Sequence, residues 1–227
     1  MASIEPSLLA GDFARLGKSL DVVEALGVAT VHIDVMDGHF RPLISVGQPV
    51  VRSIRKATRL KVDVHLMVER PERYIEDFVK AGADSLAIHL EATENVALAI
   101  GPARRLGVKV GLALNAATPV PGCFEVLEDL DFVLAETGTG RFLPRSLKKV
   151  AALAKEREAR GLNFAIAVEG DVGAGEAEEL FPAGVDILVV SSAIFEKNER
   201  GEALRAFARA LSGISPALGQ ETKSWVQ

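Results

Sequence analysis

His32 and Asp34 stand two residues apart in Val31-His32-Ile33-Asp34-Val35-Met36, and His65 follows Asp63 at the same interval in Val62-Asp63-Val64-His65-Leu66-Met67. In each segment apolar residues alternate with the polar ones, the two-residue period of a β-strand with one apolar and one polar face. Two strands that each aim an imidazole at one place, each with a carboxylate on the same face, bring together donors that suit zinc, iron(II), manganese or cobalt. One isolated histidine would be read as hydrogen-bonded within the protein; the joint placement of His32, Asp34 and His65 favours a divalent metal. A divalent ion beside two carboxylates suits proton abstraction next to a ketone, because it polarises the carbonyl and stabilises the developing enediolate. With one carboxylate on each face of that planar intermediate, one removes the proton and the other returns it to the opposite face. The product is an epimer.

The chain around these residues alternates short β-like runs with helical stretches. Strands are expected at Ser3–Leu8, Thr30–Met36, Lys61–Met67, Ser85–Glu91, Lys109–Asn115, Phe132–Glu136, Phe164–Glu169 and Ile187–Ser191. Helical spacing fills Ala14–Leu26, Pro49–Thr58, Glu72–Ala81, Asn95–Leu106, Cys123–Leu130, Arg145–Arg160 and Ala174–Pro182, and a last helix is expected at Ala203–Leu211. Eight strands, each followed by a helix, predict a closed (β/α)8 barrel, with a doubly wound open sheet as the alternative. Gly27, Gly82, Gly107 and Gly184 each precede a strand, where glycine ends a helix in the left-handed conformation. In the fifth strand Val110, Leu112 and Leu114 alternate with Gly111, Ala113 and Asn115, so bulky residues should face the helices and small or polar ones the barrel interior. The barrel should span 1–211. Residues 212–227, which include the one tryptophan, Trp225, form a tail that is either mobile or docked on a neighbouring subunit of a homo-oligomer.

Bulk composition narrows the class. A chain of 227 residues suits one large domain, and a net charge of −5 argues against nucleic acid or an anionic membrane as the partner. A single cysteine, Cys123, rules out an internal disulfide and fits a reducing cytoplasm. No basic and apolar leader opens the sequence, and no apolar run approaches the roughly 20 residues of a membrane span. Barrel enzymes place their working residues at the C-terminal ends of the strands, and His32, Asp34, His65, Asn115, Glu169 and Ser191 all fall there.

The chain resembles the ribulose-phosphate 3-epimerase family from its first strand to its eighth. The resemblance is carried by Pro6-Ser7-Leu8-Leu9-Ala10-Gly11-Asp12-Phe13, by His32-Ile33-Asp34-Val35-Met36-Asp37-Gly38-His39-Phe40, by Asp63-Val64-His65-Leu66-Met67 and by Asn115-Ala116-Ala117-Thr118-Pro119. It implies a single (β/α)8 TIM barrel of the ribulose-phosphate-binding type. It also implies one divalent metal (Zn, Fe, Mn or Co) held by His32, Asp34, His65 and Glu169, with Asp34 and Glu169 as the acid/base pair. Ser7, Met36, Met67, Gly170, Ser191 and Ser192 would line the substrate pocket. The implied activity is metal-dependent C3 epimerisation of a ketose phosphate, D-ribulose 5-phosphate to D-xylulose 5-phosphate. Other readings are a different phosphosugar, an unphosphorylated sugar, or a paralogue that binds without turnover.

The second half departs from the family pattern. Where the family has Val-Asp-Gly-Gly after strand seven, this chain has Val168-Glu169-Gly170-Asp171, and Asp171 shares strand parity with Glu169, so either carboxylate could complete the site. Ser191-Ser192 replaces a Gly-Ser turn, and Leu43 replaces an asparagine. The family's long glycine-rich loop after strand six is cut to Ala135-Glu136-Thr137-Gly138-Thr139-Gly140-Arg141, with Arg141 as a candidate phosphate cation. His89 is expected to be a barrel or rim residue, His39 to serve its loop, Cys123 to pack, and Lys155-Glu156-Arg157-Glu158 to be a solvated helix face.

Overall fold

The computed structural model describes residues 2–137, 144–170 and 172–195. The helix expected at 203–211, the tail at 212–227, Arg141 and Asp171 lie outside the described residues. The strands are β1 (Ser3–Pro6), β2 (Thr30–Met36), β3 (Lys61–Met67), β4 (Ser85–His89), β5 (Lys109–Leu114), β6 (Phe132–Glu136), β7 (Ala165–Glu169) and β8 (Ile187–Val190). The helices are α1 (Leu16–Ala25), α2 (Gln48–Ala57), α3 (Ile75–Ala81), α4 (Val96–Arg105), α5 (Pro144–Arg160), α6 (Ala174–Leu180) and α7 (Ser192–Phe195). All the strands pair in parallel in the order β1-β8-β7-β6-β5-β4-β3-β2. An isolated parallel bridge between Ser7 and His32 joins the two ends and closes the barrel.

Alternation along the strands sorts the core into two parts. The outward residues of the strands, such as Val110, Leu112, Leu114, Ile166 and Val168, pack with Val51, Ile54, Phe78, Leu127 and Leu153 between strands and helices. Ala87, Ala113, Phe132, Leu134, Ala167 and Val189 form a smaller cluster inside the barrel. Small residues are needed there because Phe132 lies across its neighbour: Gly111 pairs with Phe132, and a Cβ on Gly111 would land on that ring.

An aspartate clamps the lower end of every second strand pair. Asp84, Asp131 and Asp186 each precede a strand, and their backbone N–H groups donate to the carbonyls of Val62, Val110 and Ile166. Their carboxylates accept from the N–H groups of those same three residues at 2.9 Å. Arg55 donates to Asp84 and Arg157 to Asp186, so Arg157 is a tether between α5 and β8 rather than part of a solvated face. The glycines expected to stop helices all have positive φ, and at Gly82 (φ 110°) the N–H caps the carbonyls of Phe78 and Val79.

Several boundaries differ from expectation, three of them with a visible local cause. β4 stops at His89, because Leu90–Ala92 turns as a 3-10 helix while the Glu91 carboxylate bonds Thr118 and the Asn115 N–H. Val120–Asp129, expected to contain an α-helix, is 3-10 throughout; it opens on Pro119 and contains Pro121 and Gly122, which remove a donor and favour other backbone states. α1 is preceded by a separate 3-10 turn, Phe13–Arg15, capped by the Asp12 carboxylate. Cys123 is buried and its thiol donates to the Val120 carbonyl, so it packs as expected. Replacing Gly111→Ala should lower stability by roughly 1–3 kcal/mol through overpacking against Phe132, read as a shift in the urea midpoint with unchanged m.

Candidate active site

The register of β2 and β3 builds the site. Paired Cα atoms set His32 opposite Asp63, Asp34 opposite His65 and Met36 opposite Met67, and all six share the inward parity of the two strands. Across the barrel, β7 ends on Glu169 at the same mouth. His32 Nε2, Asp34 Oδ1, His65 Nδ1 and Glu169 Oε2 lie within 4.8 Å of one another. The measured separations are 3.3 Å for His32–Asp34, 3.7 Å for His32–Glu169, 3.4 Å for His65–Asp34 and 2.8 Å for His65–Glu169. All four atoms are buried, and none has a hydrogen-bond partner. Unpartnered buried polar atoms are costly, so four aimed at one point need a shared partner. A tetrahedral ion with bonds of about 2.0–2.1 Å requires donors roughly 3.3 Å apart, close to the spacing found. The donor set of two imidazoles and two carboxylates therefore fits a divalent metal.

The outer side-chain atoms of His32, Asp34 and His65 are tied back into the protein. His32 Nδ1 meets Asp63 Oδ2 at 2.8 Å, and the other Asp63 oxygen accepts from Ser85. Asp34 Oδ2 accepts from Ser7 Oγ at 2.5 Å. His65 Nε2 meets His89 Nε2 at 2.9 Å, and His89 Nδ1 meets Glu91 Oε2 at 3.1 Å. Protons run outward along both chains when the inner nitrogens carry lone pairs: His32 donates to Asp63, while His65 donates to His89 and His89 to Glu91. That is the tautomer pattern a metal needs, since ligating imidazoles present a bare nitrogen and donate with the other.

Electrostatics separate the two carboxylates. Burial pushes Asp34 up, but His32 and His65 outweigh it and hold the carboxyl well below its usual range. Burial and the charge of Asp34 raise Glu169. Burial lowers both histidines, yet Glu169 and Asp34 carry His32 well above 6.5, and Glu169 with Asp34 takes His65 to about 10. Without a cation the cluster therefore draws protons onto its imidazoles, and a metal must displace them.

Ser7 is buried beside Asp34, and Met36 and Met67 sit side by side at the upper ends of β2 and β3. Gly170 follows Glu169 with φ 139°, and a Cβ there would collide with the Thr137 hydroxyl. Thr137 donates its N–H to the Glu169 carbonyl, so β6 and β7 leave the barrel in close contact. Ser191 is placed differently from a free pocket hydroxyl: it donates to the Ser7 carbonyl and accepts from the Ala10 N–H. Ser192 begins α7. Glu169 reaches the cluster, while Asp171, the other candidate carboxylate, lies outside the described residues.

Sequence parity alone did not reveal what Asp63, His89, Glu136 and Arg41 do. His89 is in the barrel as expected, but it also stacks on His65 at 4.9 Å and carries Phe40 at 4.6 Å. Arg41 pairs with Glu136, whose carboxyl burial would raise but whose neighbours His89, His65 and Arg41 hold at about 2. The shared inward parity of His32 and Asp63 on neighbouring strands is the sequence signal for that contact.

A parallel (β/α)8 barrel with an imidazole–carboxylate cluster at its C-terminal mouth defines the class. The family profile described as Ribulose-phosphate 3 epimerase family matches residues 3–195, so the chain belongs to the ribulose-phosphate 3-epimerase family. The protein named ribulose-phosphate 3-epimerase from Treponema pallidum (strain Nichols) is 43% identical over 198 residues, covering 85% of this chain and 91% of its own. That of Bacillus subtilis (strain 168) is 40% identical over 210 residues, covering 90% and 97%. Among solved structures, 3-keto-L-gulonate-6-phosphate decarboxylase from Vibrio cholerae superposes with a TM-score of 0.71 at 11% identity, covering 93% of this chain and 98% of that one. The 3-hexulose-6-phosphate synthase of Salmonella typhimurium gives 0.69 at 18% identity, covering 93% and 99%. At such identities these two report the shared barrel alone.

Two outcomes follow for the cluster. Divalent-metal affinity, measured by chelator competition, should rise with pH from 6 to 9, because His32 and His65 lose protons on binding and the metal-free His65 titrates near 10. Asp63→Asn should weaken metal binding by about 10–100-fold while leaving the far-ultraviolet circular dichroism unchanged.

Proposed function

We propose that the chain interconverts D-ribulose 5-phosphate and D-xylulose 5-phosphate by epimerisation at C3, using one divalent metal of the zinc, iron, manganese or cobalt type. The observation that carries the metal-dependent reading is the set of four buried, unpartnered donors on His32, Asp34, His65 and Glu169. Membership of the family and the names of the relatives support the substrate. When bound, the metal supplies charge that stabilises the enediolate as the C3 proton leaves.

The protein groups divide the proton transfers. Asp34 and Glu169 form the acid/base pair, one removing the C3 proton and the other returning a proton to the opposite face. They come from β2 and β7, on different sides of the mouth, so a planar enediolate between them is open to one carboxylate on each face. In the reverse direction the roles exchange. Ser7 fixes the Asp34 carboxylate by donating to Oδ2, which leaves Oδ1 turned to the cluster. Met36 and Met67 supply an apolar lining beside the imidazoles, which disfavours water next to the enediolate. Gly170, Ser191 and Ser192 belong to the turns after β7 and β8, where backbone amides face the phosphate end of the substrate. In the same reading the barrel domain spans 1–211 with a tail at 212–227, and the enzyme is a cytoplasmic homo-oligomer of the pentose phosphate pathway.

Incubation of metal-loaded protein with D-ribulose 5-phosphate in D2O should bring deuterium into C3 of both sugar phosphates, followed by proton NMR. Asp34→Asn should reduce that exchange by about a thousandfold, within the 10²–10⁴ typical of a single acid/base group. Absence of exchange in the native protein with all four metals would sink the proposal.

A further inference from the structure

One charged pair at the mouth has no place in the proton transfers. Arg41 lies in the loop after β2 but reaches across to β5 and β6. Its Nη2 donates to Asn115 Oδ1 at 2.6 Å and pairs with Glu136 Oε2. Its guanidinium carbon lies 5.4 Å from the ring centroid of Phe40, which itself rests on His89. The Nε and Nη1 hydrogens have no partner among the described residues, and the side chain is 29% exposed. Arg41 is therefore anchored on one edge and open on the other.

Glu136 explains why a cation is needed there. Its Cα pairs with that of Glu169, so the two carboxylates leave adjacent strands at the same level and on the same inward face. Its Oε1 lies 3.5 Å from His89 Nε2, one imidazole removed from the metal ligand His65. Asp34 and Glu169 face His32 and His65, whereas Glu136 faces His89 and pairs with the guanidinium of Arg41. Lys149, on α5, donates to the Asn115 carbonyl. A phosphorylated sugar carries up to two negative charges, and an unpaired third carboxylate beside the cluster would oppose its entry.

We propose that Arg41 is a specificity-determining residue: by offsetting Glu136 it lets an anionic, phosphorylated sugar occupy the mouth, while Glu136 and Asn115 hold its guanidinium in place. This rests on the sugar-phosphate reading of the site. Arg41 acts through the charge of Glu136, so its loss should register in binding of the charged ligand far more than in turnover.

The probe is D-ribitol 5-phosphate, which lacks the carbonyl and cannot react, with D-ribitol as the uncharged control, both titrated calorimetrically into metal-loaded protein. Arg41→Met should weaken D-ribitol 5-phosphate binding at least about tenfold and raise KM for D-ribulose 5-phosphate in step, with kcat held within about threefold and D-ribitol binding unaltered. Arg41→Lys, which keeps the charge, and the double variant Arg41→Met/Glu136→Gln, which removes both charges, should each return binding to within about threefold of the native protein. Native binding with an unaffected Arg41→Met variant overturns the inference and leaves the sugar-phosphate reading standing, as does a double variant as weak as the single one. A native protein that binds D-ribitol 5-phosphate no better than D-ribitol overturns both.

Discussion

Everything at the mouth depends on the register between β2 and β3. Parallel pairing places His32 beside Asp63 and Asp34 beside His65, and the two-residue period turns all four inward. A slip of one residue would send both imidazoles into the layer between strands and helices and leave valines and isoleucine in the site. The apolar residues between them, Val31, Ile33, Val35, Val62, Val64 and Leu66, are all buried against the helices, so the hydrophobic effect fixes the register that the chemistry requires. Stability and function here share a single degree of freedom.

The unpartnered donors and their partnered neighbours form one graded system. The atoms facing the cluster have no hydrogen bonds, whereas the opposite atoms of His32, His65 and Asp34 are bonded to Asp63, His89 and Ser7. A buried polar network is costly unless each member is satisfied, and this one is satisfied everywhere except at one point. The imidazole relay through His89 to Glu91 also links the site to the 3-10 turn after β4 and, through Asn115 and Thr118, to the loop after β5.

Much of this could be read in the amino-acid sequence. β2 and β3 match their expected limits because apolar and polar residues alternate there up to the last position, and β6 matches as an apolar run that ends at Glu136. The inward placement of His32, Asp34, His65 and Glu169 followed from the same alternation. Glu91 continues the strand pattern of its own segment, while the bonds that turn it come from Asn115 and Thr118, more than twenty residues away. Arg41 escaped for a related reason. It sits in a loop without periodicity, and its partners Asn115 and Glu136 lie across the barrel. Local patterns report which way a side chain faces from its own strand, and not how far a loop residue reaches.

The barrel's joints are unequal. Aspartates at the base lock β3 to β4, β5 to β6 and β7 to β8, whereas β1 and β2 meet at the single bridge between Ser7 and His32. Those two residues also serve the cluster, Ser7 through Asp34 and His32 directly. The seam of the cylinder thus runs through its reactive centre. Any ligand that draws His32 and Asp34 toward Glu169 also cinches the ends of the sheet together, so affinity at the mouth and closure of the cylinder are two readings of one equilibrium.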